Sequence, residues 1–281
     1  MTHTMPGLDD KRRTTTRGAA GARTANEPRV VKTNGRPAIR LGIIGDVHAE
    51  HEHLQEALRL FDHHGVDELL CTGDLADGPG CIERCIELLA EHNVLTVRGN
   101  HERWLLDDKV RHVAHAHHRA ELSSDALAFL SALPKQIELS TCAGPLLLCH
   151  GVGDRDMVKV WPGSDRLEPQ RSELLDQLID AGHFRWLING HMHYRTLLHF
   201  GGLTLMNAGT LSRRHRPGVT LIDFGSSQLT AFEFDGGGQL QPVLVRSTEA
   251  QDDDPRWDNT AAFCGDQSPV VLYPSTEPGT S

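Results

Sequence analysis

Five short apolar runs in this chain each end in side chains that carry oxygen or imidazole nitrogen. Past the last apolar residue of each run stand, in chain order, Asp46 and His48; Asp74 and Asp77; Asn100 and His101; His150; and His191 and His193. Short apolar runs bounded by Gly are typical of buried strands that open into tight loops. Because ligands bind at the carboxyl ends of strands in an open α/β sheet, the repeated pattern predicts a metal centre at that edge, with Asp74 in its middle.

Helical periodicity alternates with these runs in the first part of the chain. Residues 52–64 carry Leu58 and Phe61 at helical spacing, and residues 81–92 form a second amphipathic stretch. Strand and helix in alternation indicate βαβ units and a parallel sheet. From residue 196 to 246 the period changes to that of strands, which indicates a second sheet packed on the first.

Composition divides the chain into a folded domain and two polar tails. Residues 1–37 and 249–281 have few large apolar groups, and we expect both to be disordered because they cannot bury enough surface to offset the entropy of ordering. The folded domain then spans residues 38–248. Within it, we expect residues 103–135 to form a helical insertion, which covers the site because it directly follows His101.

Charge and hydropathy argue against several classes of protein. The net charge of −10 argues against nucleic acid as a partner, because binding to the phosphate backbone needs a positive surface. No run of about 18 apolar residues is present, so we expect no membrane span, and no apolar segment marks a secretory signal. The six cysteines form no disulfide framework, which favours the cytoplasm. For Cys81 and Cys85 we expect helix packing rather than a redox pair or a metal clip.

The candidate metal ligands are Asp46, His48, Asp74, Asn100, His150, His191 and His193. Seven ligands are too many for one ion with an open position; they suit two ions that share a carboxylate, for which Asp74 is the natural bridge. His191 and His193 flank one residue, so in an extended loop they point to opposite sides and can serve different ions. Oxygen and imidazole ligands favour Mn, Fe, Zn, Co or Ni, with Mn as our first expectation, over Mg or Ca.

Two such ions perform a specific chemistry when they lie about 3.5–4 Å apart. They lower the pKa of a bridging water, which gives a nucleophilic hydroxide near neutral pH, and they clamp the oxygens of a phosphoryl group for in-line attack.

The five motifs together resemble, in order, the signature of the calcineurin-like metallophosphoesterase superfamily. They read Gly45-Asp46-Val47-His48, Gly73-Asp74-Leu75-Ala76-Asp77, Gly99-Asn100-His101-Glu102, His150-Gly151 and Gly190-His191-Met192-His193. The resemblance covers residues 38–246 and implies an α/β fold, a four-layer αββα sandwich of two packed sheets flanked by helices, with the site at the strand ends.

The resemblance also implies a role for each residue of the motifs. One metal is held by Asp46, His48 and His193, and the other by Asn100, His150 and His191. Asp74 bridges the two ions. His101 contacts phosphate and protonates the leaving oxygen, and Asp77 orients its imidazole.

The chain departs from the serine/threonine protein phosphatase branch of this superfamily at two positions. Gly78 follows Asp77 where that branch has an arginine that grips phosphate, and Val152 stands where it has a second Gly. The chain therefore resembles a general bacterial-type member. The candidate substitutes for the phosphate grip are Arg98, Arg103, Arg155 and Arg195, with a surface or structural role as the alternative for each.

A histidine cluster in the insertion follows no metal-ligand spacing. It comprises His112, His115, His117 and His118, and we expect these on a solvated helix face, with contact to substrate as the alternative. We expect the protein to be a cytoplasmic hydrolase of phosphomonoesters with two metals. Its expected partner is the phosphoester substrate. The first alternative is a phosphodiesterase acting on cyclic nucleotides, dinucleotides or nucleic acid. The second is an inactive scaffold like the retromer subunit that resembles this fold, against which the retention of all the ligands argues.

Overall fold

The fold is seen in a computed structural model that describes residues 29–31, 36–165 and 167–274. Two β-sheets pack face to face, and helices cover their outer faces, which confirms the predicted four-layer αββα sandwich. Within these three segments, the structure has no helix whose length and apolarity would allow it to cross a membrane.

The smaller sheet has six strands and contains the predicted βαβ units. Its order is β12 (Leu240–Ser247), β11 (Gln228–Phe234), β10 (Gly218–Asp223), β2 (Arg40–Ile44), β3 (Glu68–Cys71) and β4 (Leu95–Thr96). Strands β2, β3 and β4 are parallel, and their connections carry helices α1 (His51–His64) and α2 (Ile82–Glu91). The apolar sides of these helices, including Leu54, Leu58 and Leu89, form one core cluster on the outer face of this sheet.

The larger sheet has eight strands. They are β1 (Arg29–Val31), β5 (Gln136–Thr141), β6 (Gly144–Cys149), β7 (Trp186–Asn189), β9 (Thr204–Ala208), β8 (Arg195–Phe200) and β13 (Arg256–Trp257) in order, with β14 (Val270–Val271) also paired to β8. Helix α5 (Glu173–Ala181) covers its outer face through Leu175, which packs with Leu187 and Leu205. Between the sheets, Ile43 and Leu148 belong to a third, fully apolar cluster.

The late strands do not form a sheet of their own. Strands β8 and β9 extend the larger sheet, whereas β10, β11 and β12 extend the smaller one. The division arises because β10 pairs antiparallel with β2, where Thr220 lies opposite Ile43. The predicted second sheet is therefore present, but the run of late strands is shared between both sheets.

The predicted helical insertion is helical only at its two ends. Helix α3 (Asn100–Leu106) begins at the site, and α4 (Ser124–Ala132) begins after Ser123, whose side chain accepts a hydrogen bond from the backbone N–H of Ala126. Apart from a 3₁₀ turn at Arg119–Glu121, the residues between these helices are irregular, and they return to the site.

The prediction of a disordered tail from residue 249 is wrong for residues 249–274. Trp257, Phe263 and Leu272 are buried, and β13 and β14 both pair with β8. The mean composition of this segment is polar, but three isolated apolar side chains suffice to fix it on the sheet. Of the predicted N-terminal tail, Arg29–Val31 form β1, which pairs with β5; residues 1–28, 32–35 and 275–281 lie outside the described part of the chain.

The expected helix packing is seen for Cys85 but not for Cys81. All six are free thiols, and Cys85 is buried in the cluster beneath α2, whereas Cys81 is exposed at the start of that helix.

Replacement of Phe263 by Ala should destabilise the whole domain. The ring is fully buried and lies 5.3 Å from that of Trp257, between centroids. Removal of a buried aromatic ring costs about 3–5 kcal/mol in lost burial and residual cavity. Denaturant unfolding followed by circular dichroism measures this loss in the free energy of unfolding.

Val271→Ala is the matched control from the same segment. Val271 is 49% exposed, so its truncation should change the free energy of unfolding by no more than about 0.5 kcal/mol. If Phe263→Ala were as mild as this control, the C-terminal segment would not be packed on the sheet in solution.

Candidate metal centre

The predicted site residues all lie at one edge of the two sheets. Asp46 and His48 follow β2, Asp74 follows β3, and Asn100 begins α3 after β4. From the larger sheet, His150 follows β6, while His191 and His193 follow β7. Two sets of ligand atoms form there, and each set has all of its atoms within 4.8 Å of one another.

The first set contains Asp46, His48, Asp74 and His193. The Nε2 atoms of His48 and His193 are 3.0 Å apart. The same nitrogen of His193 lies 3.2 Å from Oδ2 of Asp46. These atoms come from both sheets, so the set exists only because the two strand edges meet.

The second set contains Asp74, His150 and His191. Nε2 of His150 is 3.2 Å from Oδ2 of Asp74 and 3.0 Å from Oδ1 of Asn100. Asp74 therefore belongs to both sets, in the position that the sequence predicts for a bridge between two ions.

The ring nitrogens show that the site is built for cations. Nδ1 of His150 lies 2.7 Å from the carbonyl oxygen of Thr72, and Nδ1 of His48 lies 3.2 Å from the carbonyls of Ala76 and Asp77. Carbonyls only accept hydrogen bonds, so we assign the hydrogen of each neutral ring to Nδ1. Each Nε2 then presents a lone pair to the site, toward Asp74 for His150 and toward His193 for His48, as in metal-binding histidines whose other nitrogen donates to a carbonyl.

A further ring nitrogen, on His191, lacks a hydrogen bond. Nε2 of His191 is buried without a hydrogen bond to the described part of the chain, although its backbone N–H donates to Oδ2 of Asp46 at 2.8 Å. Buried polar atoms in native proteins have partners, and an exception calls for an explanation. A metal ion between His191, His150 and Asp74 supplies it, and the donor set thus fits two ions.

Electrostatics agree with this interpretation. Burial alone would lower the pKa of His150, but the charges of Asp74 and Asp46 raise it to about 10. Burial, followed by the neighbouring His150, lowers the pKa of His191 to about 4. The pKa values of two imidazoles at one site are thus shifted in opposite directions. A cation bound by the deprotonated ligands would take the place of the proton on His150.

The ligand loops have an unusual backbone. His48, Asp74, Asp77, His191 and His193 all have left-handed φ values between 46° and 68°. For residues other than Gly this conformation costs about 1–3 kcal/mol each, and it persists only where surrounding contacts determine it. Strain of this kind, gathered at one edge, is typical of functional sites.

Glu102 holds the loop that carries Asp74. Its buried carboxylate accepts hydrogen bonds from the backbone N–H groups of Gly99, Asp74, Leu75 and Ala76, at 2.6–3.0 Å. Burial, followed by the charge of Asp74, raises the pKa of Glu102 to about 7. The sequence contains this residue within a motif, but only the structure shows that it orients the loop of Asp74.

Three other supporting residues were not identified from the sequence. The hydroxyl of Thr72 donates to Oδ1 of Asp46 at 2.8 Å, and that of Thr210 donates to the carbonyl of Asp46 at 2.7 Å. The amide of Asn207 donates to the carbonyl of Gly190 at 2.6 Å. Asn207 lies near the end of β9, just as the candidate ligands lie near the ends of their strands. This position in the sequence is the one feature that could have identified Asn207 as a site residue.

His101 lies beside the two ligand sets rather than within them. Its Nδ1 is 2.7 Å from Oδ2 of Asp77, and its backbone N–H donates to Oδ1 of Asp74 at 2.9 Å. Nε2 lies 3.9 Å from Oδ2 of Asp74, and the ring packs on Trp104 with centroids 4.8 Å apart. The side chain is 17% exposed, so one edge of the imidazole is open to a substrate.

The insertion contacts this pair through Arg111, which the sequence analysis did not identify, and through His117, whose contact with Asp77 it did not predict. The guanidinium of Arg111 donates to both oxygens of Asp77, at 2.8 and 3.0 Å, and the backbone N–H of His117 donates to Oδ1 at 2.9 Å. The prediction of a helix face is wrong for the whole cluster, because none of the four histidines is helical, and the predicted exposure is wrong for His117, which is half-buried. The cluster's other histidines are exposed: His112, His115 and His118.

The arginines predicted as candidates for a phosphate grip are mostly engaged elsewhere. Arg195 is fully buried and donates to the carbonyl of Phe232, and Arg103 pairs with Asp156 through two hydrogen bonds. Arg155 is exposed beside Asp154. An arginine at position 78 is excluded, because a Cβ there would overlap the carbonyl of His48.

The open side of the site is a cavity of about 180 Å³. Val113 and Ala114 of the insertion line it on one side, and Arg214 and His215 line it on another, together with His101. Neighbouring Arg213 and Arg216 pair with glutamates, whereas Arg214 has no carboxylate partner in the segments that the structure describes. Arg214 is thus the cation available to a ligand.

A curated protein resembles part of this chain. An uncharacterized protein of Methanocaldococcus jannaschii is 26% identical over 117 residues, which cover 39% of this chain and 48% of that protein. The chain thus matches about half the length of this curated relative.

Two solved structures share the fold. A metallophosphoesterase from Sphaerobacter thermophilus has a TM-score of 0.54 at 18% identity, covering 70% of this chain and 89% of that one. A hypothetical protein from Pyrococcus horikoshii has a TM-score of 0.52 at 13% identity, covering 76% and 89% of the two chains. At such identities the likeness shows the fold alone.

The sequence profile of the calcineurin-like phosphoesterase superfamily domain matches residues 39–226, which is more than half of the chain. This range includes all five motifs that supply the two ligand sets. The chain therefore belongs to the calcineurin-like phosphoesterase superfamily.

Proposed function

We propose that this chain is a dinuclear-metal phosphoesterase that hydrolyses phosphomonoesters. The observation that carries the proposal is the membership of Asp74 in both ligand sets, which is the arrangement two ions need to share one carboxylate. An inactive scaffold of the same fold has no use for this constellation or for His101 beside it. The cytoplasmic location stays a prediction from the sequence.

In this proposal each ligand has a defined partner. Asp46, His48 and His193 hold one ion; Asn100, His150 and His191 hold the other; Asp74 contacts both. Bound together, such ions supply an activated water and charge stabilisation for the phosphoryl group. The oxygen and imidazole ligands favour Mn, Fe, Zn, Co or Ni, among which Mn is our first choice.

His101 is the proton donor for the leaving oxygen. Burial would lower its pKa, but the hydrogen bond with Asp77 and the charge of Asp74 outweigh burial and raise it, which favours the imidazolium. With Nδ1–H bound to Asp77, the Nε2–H is free to point toward the cavity and to transfer its proton. The neutral ring that remains keeps its bond to Asp77.

The cavity favours a small substrate with a dianionic phosphate. Its volume of about 180 Å³ is bounded by the insertion, and Arg214 offers a positive charge on its wall. Asp77, the carboxylate in this wall, is already neutralised by Arg111. These features support a monoester over a long polymer, and the net charge of −10 agrees.

Turnover of a panel of phosphomonoesters and phosphodiesters, with each candidate metal in turn, tests the proposed function. We expect the highest kcat/KM on a monoester with Mn. A higher value on cyclic or dinucleotide diesters would support a phosphodiesterase instead. Absence of turnover on every substrate and metal, in protein that binds two ions, would favour the scaffold.

Asp74→Asn should abolish the binding of at least one ion together with turnover. The amide has the shape of the carboxylate but lacks the charge that holds two cations close together. Metal analysis of the purified variant by mass spectrometry measures the loss. The control is Asp108→Asn, an exposed carboxylate of the insertion, which should retain two ions. Two ions bound to the Asp74 variant, with near-wild-type turnover, would show that Asp74 is no bridge.

His101→Asn should bind both ions normally, yet lose far more kcat on an alkyl phosphate than on nitrophenyl phosphate. A general acid contributes about 10²–10⁴ in rate, and a nitrophenolate leaves readily without its proton. His112→Asn, an exposed histidine of the insertion, is the control and should keep wild-type values on both substrates. An equal loss on both substrates would mean that His101 acts through binding or charge, and a loss of metal would make it a ligand.

A further inference from the structure

The insertion surrounds the carboxylate of Asp77 with hydrogen-bond donors. Oδ1 accepts from Nη1 of Arg111 at 2.8 Å and from the backbone N–H of His117 at 2.9 Å. Oδ2 accepts from Nη2 of Arg111 at 3.0 Å and from Nδ1 of His101 at 2.7 Å. A carboxylate has about four acceptor sites, so every site of Asp77 is in use and its orientation is fixed.

The backbone of Asp77 is bound by the same segment. Its N–H donates to Nδ1 of His117 at 2.9 Å, so that His117 and Asp77 exchange two hydrogen bonds. Asp77 has a φ of 64°, in the left-handed region that a residue with a Cβ adopts only under constraint. His117 supplies that constraint from 40 residues farther along the chain.

Arg111 is itself held in place. Its Nε donates to the carbonyl of Lys109 at 2.8 Å, and its Nη1 also donates to the carbonyl of His117 at 2.6 Å. The side chain is only 10% exposed, and the carboxylate of Asp77 is 1% exposed. Removal of one partner from such a pair leaves a buried charge with too few hydrogen bonds, which is strongly unfavourable.

We infer that Arg111 and His117 are positioning residues for the leaving-group proton, acting through Asp77 on His101. Together they form what we call the Asp77 clamp. Among the described residues, the ring of His101 makes one hydrogen bond, from Nδ1 to Asp77. The clamp fixes the carboxylate of Asp77, and thereby the direction of Nε2, so Arg111 and His117 complete the site. This inference rests on the proposed role of His101 as the proton donor.

Arg111→Ala should therefore resemble His101→Asn, with a smaller effect: kcat should fall more on an alkyl phosphate than on nitrophenyl phosphate. We expect kcat on an alkyl phosphate to fall about tenfold or more. The loss should not exceed the rate factor of about 10²–10⁴ that a general acid contributes. On nitrophenyl phosphate kcat should change less than about threefold, since that leaving group needs no proton. Metal content should be unchanged, because Arg111 contacts neither ligand set.

Guanidinium ion provides a rescue that a merely structural defect would not show. Added to Arg111→Ala far below denaturing concentrations, it should bind in the vacated space beside Asp77 and restore turnover of the alkyl phosphate. Urea, a neutral molecule of the same shape, should not. If Arg111→Ala fails to fold, Arg111→Lys and His117→Ala test the same inference, with the same selective loss expected.

Arg119→Ala is the matched control from the insertion. Arg119 is exposed and donates to the carbonyl of Leu106, so its removal should leave both substrates unaffected. A loss in the folded clamp variants that is equal on both substrates, or no loss, overturns the inference. The parallel measurement on His101→Asn separates the two claims. If His101→Asn loses kcat selectively on the alkyl phosphate and Arg111→Ala does not, the clamp alone is contradicted. If His101→Asn shows no selective loss of kcat, the proton-donor role and the clamp are both contradicted.

Discussion

The buried carboxylate of Asp74 is the point on which the rest of the site depends. It lies between imidazoles from both sheets, with Nε2 of His150 at 3.2 Å, and it belongs to both ligand sets. Glu102 orients its loop by accepting four backbone N–H groups. Carboxylate oxygens and imidazole nitrogens from several loops direct lone pairs toward one place, where too few hydrogen atoms are available to bond them all. A bound cation would stabilise these lone pairs.

The larger fold serves to bring two strand edges together. The β2, β3 and β4 edge supplies Asp46, His48, Asp74 and Asn100, and the β6 and β7 edge supplies the other histidines, His150, His191 and His193. Left-handed backbone at five of the site residues is the local cost of aiming the side chains inward. The insertion then adds what neither sheet provides, a bidentate arginine on Asp77 and an apolar wall on the cavity.

Much of the centre was predictable from the sequence because each ligand stands within a few residues of a strand end. That local pattern predicts the seven candidate ligands, and the resemblance to the family implies their division between two ions. Six of the seven lie in the two ligand sets. Arg111 and His117 were not predictable in this way, since the contacts of Asp77 with them span 34 and 40 residues and pass through irregular backbone without periodicity. The C-terminal segment was misjudged for a similar reason: Trp257 and Phe263 are isolated apolar residues in polar surroundings, and only the tertiary structure shows what they contact.

Anomalous diffraction from crystals of the wild-type protein grown with Mn²⁺ tests the central claim most directly. The account predicts two peaks about 3.5–4 Å apart, both in contact with Asp74. One peak should lie among Asp46, His48 and His193, and the other among Asn100, His150 and His191. A single peak, or peaks that do not share Asp74, would contradict the account.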